Sequence, residues 1–364
     1  MSKDINSNAY DVTSISCGRD HTLALLSSGK VMGWGGDGSG RQLNTAFDVC
    51  STIVPPTHPG EVSAQSQFLA IAAGHSVSLG LTDKHEVVVW GSCATGVGGQ
   101  LDAVAVSRPQ RVTGLPSAQV IVAGEFHFAA IDQLGAIHSW GLNTTGTLGR
   151  VSETLNSIPG PVISLPPIKH IALGQGFMLA LTRDGRLYSW GGNTAGQLGL
   201  GHLNTVDTPI PISLPMRIEK VSAGATHALA ISNQGKVYGW GSNNKGQLGI
   251  SKKMYSVTPV VLTMPEPMKA VATGMHFSLA LSRTGNVYSW GWNGLGQLGL
   301  NDLVDRHQPT RISRLSGVRA IAAGQMHAVA AAPGNLFGWG MNGAGQIGLA
   351  QAKQQKPFSF LTIA

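Results

Sequence analysis

Charged residues, aromatic residues and cysteine are all scarce in this chain of 364 residues. Charged residues make up 12% of it, about half of their usual share in a soluble domain. The three cysteines, Cys17, Cys50 and Cys93, show neither paired nor metal-ligand spacing, which predicts reduced thiols. No apolar run reaches the roughly 18 residues that a membrane helix needs. These absences exclude a disulfide scaffold and predict no membrane span.

Targeting and enzyme signatures are also missing. Residues 1–11 are polar and lack the apolar core of a signal peptide, so we expect a short N-terminal arm followed by a single domain over residues 12–364. The sequence holds no Walker loop, no HExxH helix and no GxSxG elbow. It therefore predicts no metal, no cofactor and no classical enzyme. The lack of a leader favours a cytoplasmic or nucleocytoplasmic location.

Glycine is abundant instead, with 49 residues, and many of them belong to a repeat. The dipeptide Trp-Gly returns in steps of 56, 50, 50, 50, 50 and 49 residues, at Trp34, Trp90, Trp140, Trp190, Trp240, Trp290 and Trp339. A marker glycine precedes each tryptophan by 16 residues, or by 15 in the last unit: Gly18, Gly74, Gly124, Gly174, Gly224, Gly274 and Gly324. A period near 50 residues indicates a solenoid, an array or a propeller.

Each unit has the pattern of four short strands. An alternating apolar stretch follows the marker glycine, and a glycine five residues before the tryptophan supplies the positive φ of a hairpin turn. Only the second unit departs there, with His85. A Pro-led apolar segment such as 258–262 follows, and its proline favours the periphery of a sheet. With a short strand before each marker glycine, the unit matches a propeller blade.

The seven units predict an all-β fold, a seven-bladed β-propeller, which we expect to be monomeric. The first unit begins at Val12 with no Pro-led strand before it, and the chain ends with KPFSFLTI at 356–363. We therefore expect the C-terminal strand to complete the N-terminal blade and so to close the ring. The repeated tryptophans are predicted to be core wedges between blades.

Net charge is uneven along the chain. Residues 1–182 carry 9 Lys or Arg and 12 Asp or Glu, whereas residues 183–364 carry 16 and 6. In a ring, one half is then mildly acidic and the other clearly basic, a field that can steer an acidic protein or a polyanion, or can serve solubility alone. Basic residues such as Arg311 and Arg319 have no interleaved aromatics, so we expect no nucleic-acid readout.

Over roughly residues 12–361, the chain resembles the repeat of the regulator of chromosome condensation family. The resemblance rests on the marker glycines, the alternating strands, Trp-Gly and the GQLG loops at 196–199, 246–249 and 296–299. The resemblance implies a seven-bladed fold and a protein-binding role. The founding member is a guanine nucleotide exchange factor for the small GTPase Ran and also binds histones and DNA. The resemblance therefore implies that this chain activates a small GTPase of the Ran/Ras-like superfamily. Bacterial members include effectors delivered into a host cell.

In that family the loops after the marker glycines form the GTPase-binding face, where an Asp-His pair contacts the partner. Asp20 and His21 match this pair, and a histidine alone matches at three further positions, His127, His227 and His327. Glu125 and His276 lie beside this column and complete the candidate set. The column is broken at Val77, Phe177 and Phe277. A histidine that recurs at a repeat position can equally brace a loop by hydrogen bonding.

Two further features depart from the repeat. The single length excess, within residues 37–67, is the candidate for a loop wedge of the kind that the founding member uses, and it contains Arg41, Asp48, His58 and Glu61. Trp292 is the one tryptophan outside Trp-Gly and a candidate binding hot spot. Two alternatives to exchange activity stay open: a non-catalytic scaffold or inhibitor, and chromatin or polyanion binding through the basic half.

Overall fold

The computed structural model describes residues 12–36, 60–62, 66–93, 104–150, 156–250, 253–348 and 354–362. Within these ranges the chain forms 28 β-strands and no α-helix. The strands make seven four-stranded antiparallel sheets, one for each Trp-Gly unit. The predicted all-β fold with seven blades is therefore confirmed.

Each blade takes four strands that are consecutive in the chain. Blades 1 and 2 contain β1 to β8: Val12–Cys17, His21–Leu26, Val31–Gly35, Gly60–Val62, Phe68–Ala73, Val77–Thr82, Val87–Cys93 and Val104–Arg111. Blades 3 and 4 contain β9 to β16: Ala118–Ala123, His127–Asp132, Ile137–Leu142, Asn156–Val162, Ile168–Leu173, Phe177–Thr182, Leu187–Gly191 and Val206–Ile212.

Blades 5 to 7 repeat the same order. They contain β17 to β28: Ile218–Ala223, His227–Ser232, Val237–Ser242, Tyr255–Val261, Met268–Thr273, Phe277–Ser282, Val287–Gly291, Arg306–Arg311, Ala320–Ala323, His327–Ala332, Asn335–Gly340 and Gln354–Thr362. The first strand of each blade lies against the first strands of its neighbours, around a central channel. The Pro-led segment is the outermost strand, as its proline predicts, because an outer edge needs no N–H for a further strand.

The ring closes differently from the prediction. The C-terminal strand β28 pairs with β27 in blade 7, and blade 1 has its own outer strand, β4, paired with β3. The prediction was wrong because the Pro-led segment belongs to the hairpin that precedes it, so no strand is left over. Blades 7 and 1 join through packing and side-chain hydrogen bonds instead. The Trp34 indole donates to the carbonyl of Gln346 at 3.0 Å, and the Thr22 hydroxyl donates to the same oxygen at 2.9 Å.

The repeated tryptophans are buried wedges, as predicted. Six are fully buried and Trp90 is 3% exposed. Trp140 and Trp240 each pack within an apolar cluster that spans two adjacent blades. The indole N–H of Trp240 donates to the carbonyl of Gln197, in the loop that follows the third strand of blade 4, at 2.9 Å. Trp190, Trp290 and Trp339 make the same bond to the preceding blade. The wedge therefore supplies both apolar burial and an inter-blade hydrogen bond.

At two positions of the repeat, the backbone conformation favours glycine. The glycine after each tryptophan has a positive φ, and a Cβ at Gly191 would lie 2.5 Å from the carbonyl oxygen of Gly176. The hairpin glycine also has a positive φ, which His85 adopts in blade 2 with φ 59°. The His85 ring helps to hold that turn, since Nδ1 lies 2.9 Å from the carbonyl oxygen of Ala118. Histidine thus takes the place of glycine at this positive-φ position, and its side-chain contact offsets the backbone strain.

The antiparallel order gives the disc two different faces. The loops between the first and second strands and between the third and fourth strands lie together on one face, which we call the loop face. They are joined there by backbone bonds such as Trp292 N–H to His276 O at 2.9 Å. The hairpin turns between the second and third strands, and the links between blades, lie on the opposite side, the turn face. There Ile168 N–H bonds Gly135 O at 2.9 Å.

Candidate functional site

The marker loops surround the loop-face mouth of the central channel. The channel holds a cavity of about 410 Å³, lined by residues of all seven first strands and their marker glycines. Backbone bonds between adjacent blades fix the mouth. Arg19 N–H donates to Gly74 O at 3.2 Å, and Gln325 N–H donates to Gly18 O at 3.3 Å. The residues after the marker glycines are therefore held on a rigid rim.

A row of charged and polar side chains follows this rim across blades 1 to 4. Arg19 Nε lies 3.3 Å from Asp20 Oδ2, and Arg19 Nη1 lies 2.7 Å from His75 Nε2. Arginine can only donate, so His75 Nε2 accepts and the ring proton lies on Nδ1. That nitrogen is 3.3 Å from Glu125 Oε1, and Glu125 in turn bonds the side chain of Gln175. We call Asp20, Arg19, His75, Glu125 and Gln175 the rim row.

The two carboxylates of the rim row differ in their electrostatics. The His75 ring, with Nδ1 3.3 Å from Oε1, is the largest effect on Glu125 and lowers its pKa, against partial burial. Burial raises the pKa of Asp20, and the charge of Arg19 offsets only part of it. The side chains of Asp20 and Glu125 are 16% and 17% exposed, and that of Arg19 is 46% exposed. The rim row therefore presents mixed charge that a partner can reach.

Asp20 and Glu125 were predicted from sequence as contact residues, whereas Arg19, His75 and Gln175 were not. All three occupy the first position after a marker glycine, which was the available signal. Their residue types differ from blade to blade, so the period alone does not single them out. The pairing of Arg19 with His75 arises from the contact between neighbouring blades, 56 residues apart in the chain.

The four column histidines do not face a partner. His21, His127, His227 and His327 are 0–3% exposed. The surface-contact assignment is therefore corrected for these four. His227 Nε2 lies 3.0 Å from Ser278 Oγ of the next blade, and His327 Nε2 lies 2.9 Å from Thr22 Oγ1 across the ring closure. These histidines brace adjacent blades, which is the structural alternative considered above.

The breaks in the histidine column have matching changes in the next blade. His21 faces Ser78 with Nε2 and Oγ 3.0 Å apart. Where phenylalanine replaces histidine, as at Phe277, the residue at the equivalent position of the next blade is Ala328, and both lie in one apolar cluster. Phe177 shares a cluster with Ala228 in the same way. Three of the histidines thus meet a hydroxyl group of the next blade, whereas the two phenylalanines meet alanine, so the residue types match across these junctions.

Burial sets the ionisation of the bracing histidines. Desolvation lowers the pKa of His21 and His127 to about 4 and that of His227 and His327 to about 3. Ser278 Oγ donates to Gln247 O at 2.7 Å, so it accepts from His227 Nε2–H. The other ring nitrogen of His227 is buried without a partner among the described residues. A second proton there would be buried and unpaired, so the neutral form is the folded form.

Trp292 and His276 lie together on the loop face of blade 6. Both are half-buried, and Trp292 N–H donates to His276 O at 2.9 Å. Burial lowers the pKa of His276, and the neighbouring charge of Lys245 lowers it further. The loop face therefore carries Asp20, Glu125, His276 and Trp292, on three different blades.

The wedge candidates cannot be placed. Arg41, Asp48 and His58 lie outside the described residues, and Glu61 lies in β4, where only the backbone is described. The wedge stays a prediction. Within the described ranges, no three His, Cys, Asp or Glu residues lie where they could hold a metal ion, and no helix is long and apolar enough to span a membrane.

Comparison with known families adds to this geometry. A repeat profile described as "Regulator of chromosome condensation (RCC1) repeat" matches residues 135–181, 184–231, 234–281 and 284–331. A second profile of the same description matches residues 12–41, 168–197, 218–247 and 268–297. Together these matches cover more than half of the chain. The chain belongs to the regulator of chromosome condensation repeat family.

Two proteins with similar sequences are larger than this chain. The chain is 33% identical over 121 residues to the human probable E3 ubiquitin-protein ligase HERC6, and the match covers 32% of this chain and 11% of that protein. It is 37% identical over 83 residues to the mitochondrial RCC1 domain-containing protein RUG3 of Arabidopsis thaliana, covering 22% and 17%. The matched stretches therefore span less than a fifth of either relative.

Solved propellers match nearly the whole disc. Prp20p from Saccharomyces cerevisiae, described with its binding to Gsp1p and histones, superposes with a TM-score of 0.77 and 26% identity, over 88% of this chain and 82% of that one. Human WBSCR16 superposes with a TM-score of 0.80 at 23% identity, covering 91% and 93%. The second likeness concerns the fold alone. Both likenesses support the propeller fold over the matched parts of this chain.

Proposed function

We propose that this chain binds a small GTPase of the Ran/Ras-like superfamily through its loop face and promotes the release of guanine nucleotide. The observation that carries the proposal is the rim row, a mixed-charge surface held rigidly around one mouth of the channel. Family membership and the likeness to Prp20p, which is described as binding Gsp1p, supply the class of partner.

Exchange requires no catalytic group. An exchange factor binds best to the GTPase state that has lost its nucleotide. By linkage, bound nucleotide weakens the GTPase's affinity for the exchange protein, and the bound exchange protein weakens the GTPase's affinity for nucleotide by the same ratio. A propeller suits this role because its loops sit on packed blades and lose little entropy on binding. Asp20 and Glu125 would meet cationic side chains of the partner, and Arg19 would meet an acidic one. Trp292 would add an apolar anchor at the edge of the same face.

A binding-only role is the second candidate, because the four column histidines brace the blades instead of reaching a partner. The two roles differ in their coupling to nucleotide. An exchange factor prefers the nucleotide-free GTPase, whereas a scaffold or inhibitor binds without displacing nucleotide.

The experiment measures release of a fluorescent GDP analogue from purified Ran, Rap, Rab and Rho GTPases, with and without the chain. We expect accelerated release for one class, and for that class tighter capture of the nucleotide-free form than of the loaded form. Capture with no acceleration would favour the scaffold role. Neither capture nor acceleration for any class would reject a GTPase partner.

A further inference from the structure

Among the described residues of blades 4 to 7, basic side chains are concentrated on the turn face and are balanced by acidic ones on the loop face. Among the described residues, eleven Lys or Arg side chains and three acidic ones lie toward the turn face of these blades, judged by the strand ends. The described residues of the loop face of the same blades include three basic ones, Lys245, Lys253 and Arg306, and three acidic ones, Asp207, Asp302 and Asp305. Within the part of the chain that the structure describes, the excess positive charge of these blades thus lies on the turn face.

Part of this charge surrounds the turn-face mouth of the channel. Lys169, Lys220, Lys269 and Arg319 lie at or just before the start of four consecutive first strands. Lys169 and Lys269 are the extra residues of β-bulges, which re-aim a side chain away from the sheet. Burial lowers the pKa of His170, and the charges of Lys220 and Lys169 lower it further, which places a cation from blade 5 and one from blade 4 near the same ring.

The rest of the charge lies on turns and links farther from the channel. Arg183, Arg217, Lys236, Arg283 and Arg314 are all exposed. Three acidic residues face these eleven basic ones. Asp184 pairs with Arg186 at 2.8 Å, and Glu266 accepts its hydrogen bonds from neutral side chains, those of Thr284, Asn286 and Tyr288. Glu219 is exposed on β17 next to Lys220, at the bulge position that lysine holds in blades 4 and 6.

Exposed aliphatic side chains border this basic surface. Leu134, in the hairpin turn of blade 3, is 81% exposed, and Ile163, just after β12, is 70% exposed. They are the two most exposed large apolar side chains among the described residues. The segment that links blades 3 and 4 begins at Ile163 and contacts the hairpin turn of blade 4, where the Pro167 carbonyl accepts a hydrogen bond from Arg183 N–H at 3.1 Å. These apolar side chains therefore lie next to the basic surface.

We propose that the turn face docks on an anionic phospholipid bilayer. Clustered Lys and Arg are attracted to acidic headgroups, by about 1 kcal/mol for each cation near the surface. Protruding Leu and Ile side chains add binding free energy when they enter the membrane interface. Attachment by charge alone would not need such apolar side chains. Nucleic acid fits less well, because the large exposed aromatic side chains among the described residues, Phe126 and Tyr255, lie toward the loop face and so could not stack on bases at the turn face. Docking in this way leaves the rim row free.

The test is vesicle sedimentation of the full chain at near-physiological salt. Vesicles of phosphatidylcholine with about one-third phosphatidylserine should bind it, vesicles of phosphatidylcholine alone should not, and raised salt should weaken the binding. Blade 5 offers matched variants, since all four of its lysines named here are exposed. Lys220→Gln with Lys236→Gln, on the turn face, should lower the partition coefficient about thirtyfold. Lys245→Gln with Lys253→Gln, on the loop face, removes the same charge and should change it less than about threefold.

A second pair separates bilayer docking from general attraction to polyanions. Leu134→Ser with Ile163→Ser should lower partition into the acidic vesicles about tenfold and leave the charge unchanged. Equal losses for the two lysine pairs, or no loss for the serine pair, would overturn the proposal. So would failure to bind acidic vesicles together with binding of duplex DNA or of an acidic peptide. None of these outcomes depends on exchange activity.

Discussion

The bracing histidines make the stability of the propeller depend on pH in a window that the structure defines. His21, His127, His227 and His327 have pKa values near 4 or 3 in the fold, against 6.5 for the free side chain. The unfolded chain therefore binds more protons than the folded chain below pH 6.5. Stability from these groups is complete above that pH and is lost as the pH falls toward 4, because acid favours the unfolded chain.

The size of the effect follows from the same values. At about pH 5, each imidazole that must stay neutral in the fold costs about 2 kcal/mol, since one pH unit below the unfolded pKa is worth about 1.4 kcal/mol. Four such groups cost about 8 kcal/mol, as much as the whole stability of many domains. Burial also lowers the pKa of His170 and His276, which adds in the same direction.

Urea unfolding followed by tryptophan fluorescence at several pH values tests this. We expect the free energy of unfolding to fall by about 5 kcal/mol between about pH 7.5 and 5.5. A variant that copies the apolar pair of the neighbouring blade, His227→Phe with Ser278→Ala, should lose about a quarter of that slope. A change below about 2 kcal/mol in the wild-type chain, or an unchanged slope in the double variant, would refute the reasoning.

Three further predictions concern the braces, the marker glycines and the loop face. Ser278→Ala alone should cost about 2 kcal/mol by leaving His227 Nε2–H unpaired, and adding His227→Phe should recover part of this in urea unfolding; equal costs would argue against the brace. Gly224→Ala should destabilise by about 3 kcal/mol, because its Cβ would lie 2.5 Å from Gly274 O, whereas Gly343→Ala, with no neighbour closer than 3.8 Å, should be near neutral in the same assay. Trp292→Ala should weaken GTPase capture about tenfold or more with an unchanged melting temperature; unaltered capture would place the anchor elsewhere.

The repeat period was enough to predict the blades, because each Trp-Gly serves the same physical need. The tryptophan fills the space between two blades, and the following glycine has a positive φ against a backbone carbonyl. Ring closure was mispredicted for a related reason. In a circular repeat the period does not show where a blade begins, and the strand β4, Gly60–Val62, lies in the one irregular spacer.

The site was less predictable than the fold. The histidine column reads the same in sequence whether its side chains are exposed or buried, and only packing shows that His227 meets Ser278. The link from Arg19 through His75 to Glu125 depends on which blades are neighbours and how their rims align. The basic half of the chain was visible in sequence, but its restriction to the turn face came from the direction of the strands.

The most direct test of the central claim compares nucleotide release by variants that differ only in the face they alter. Asp20→Asn with Glu125→Gln changes the rim row and keeps side-chain size, while Asp184→Asn removes an exposed carboxylate from the turn face. With the responsive GTPase, we expect the rim pair to slow stimulated release at least about tenfold and Asp184→Asn to leave the rate unchanged. Full activity in the rim pair, or equal loss in both variants, would contradict a GTPase-binding loop face.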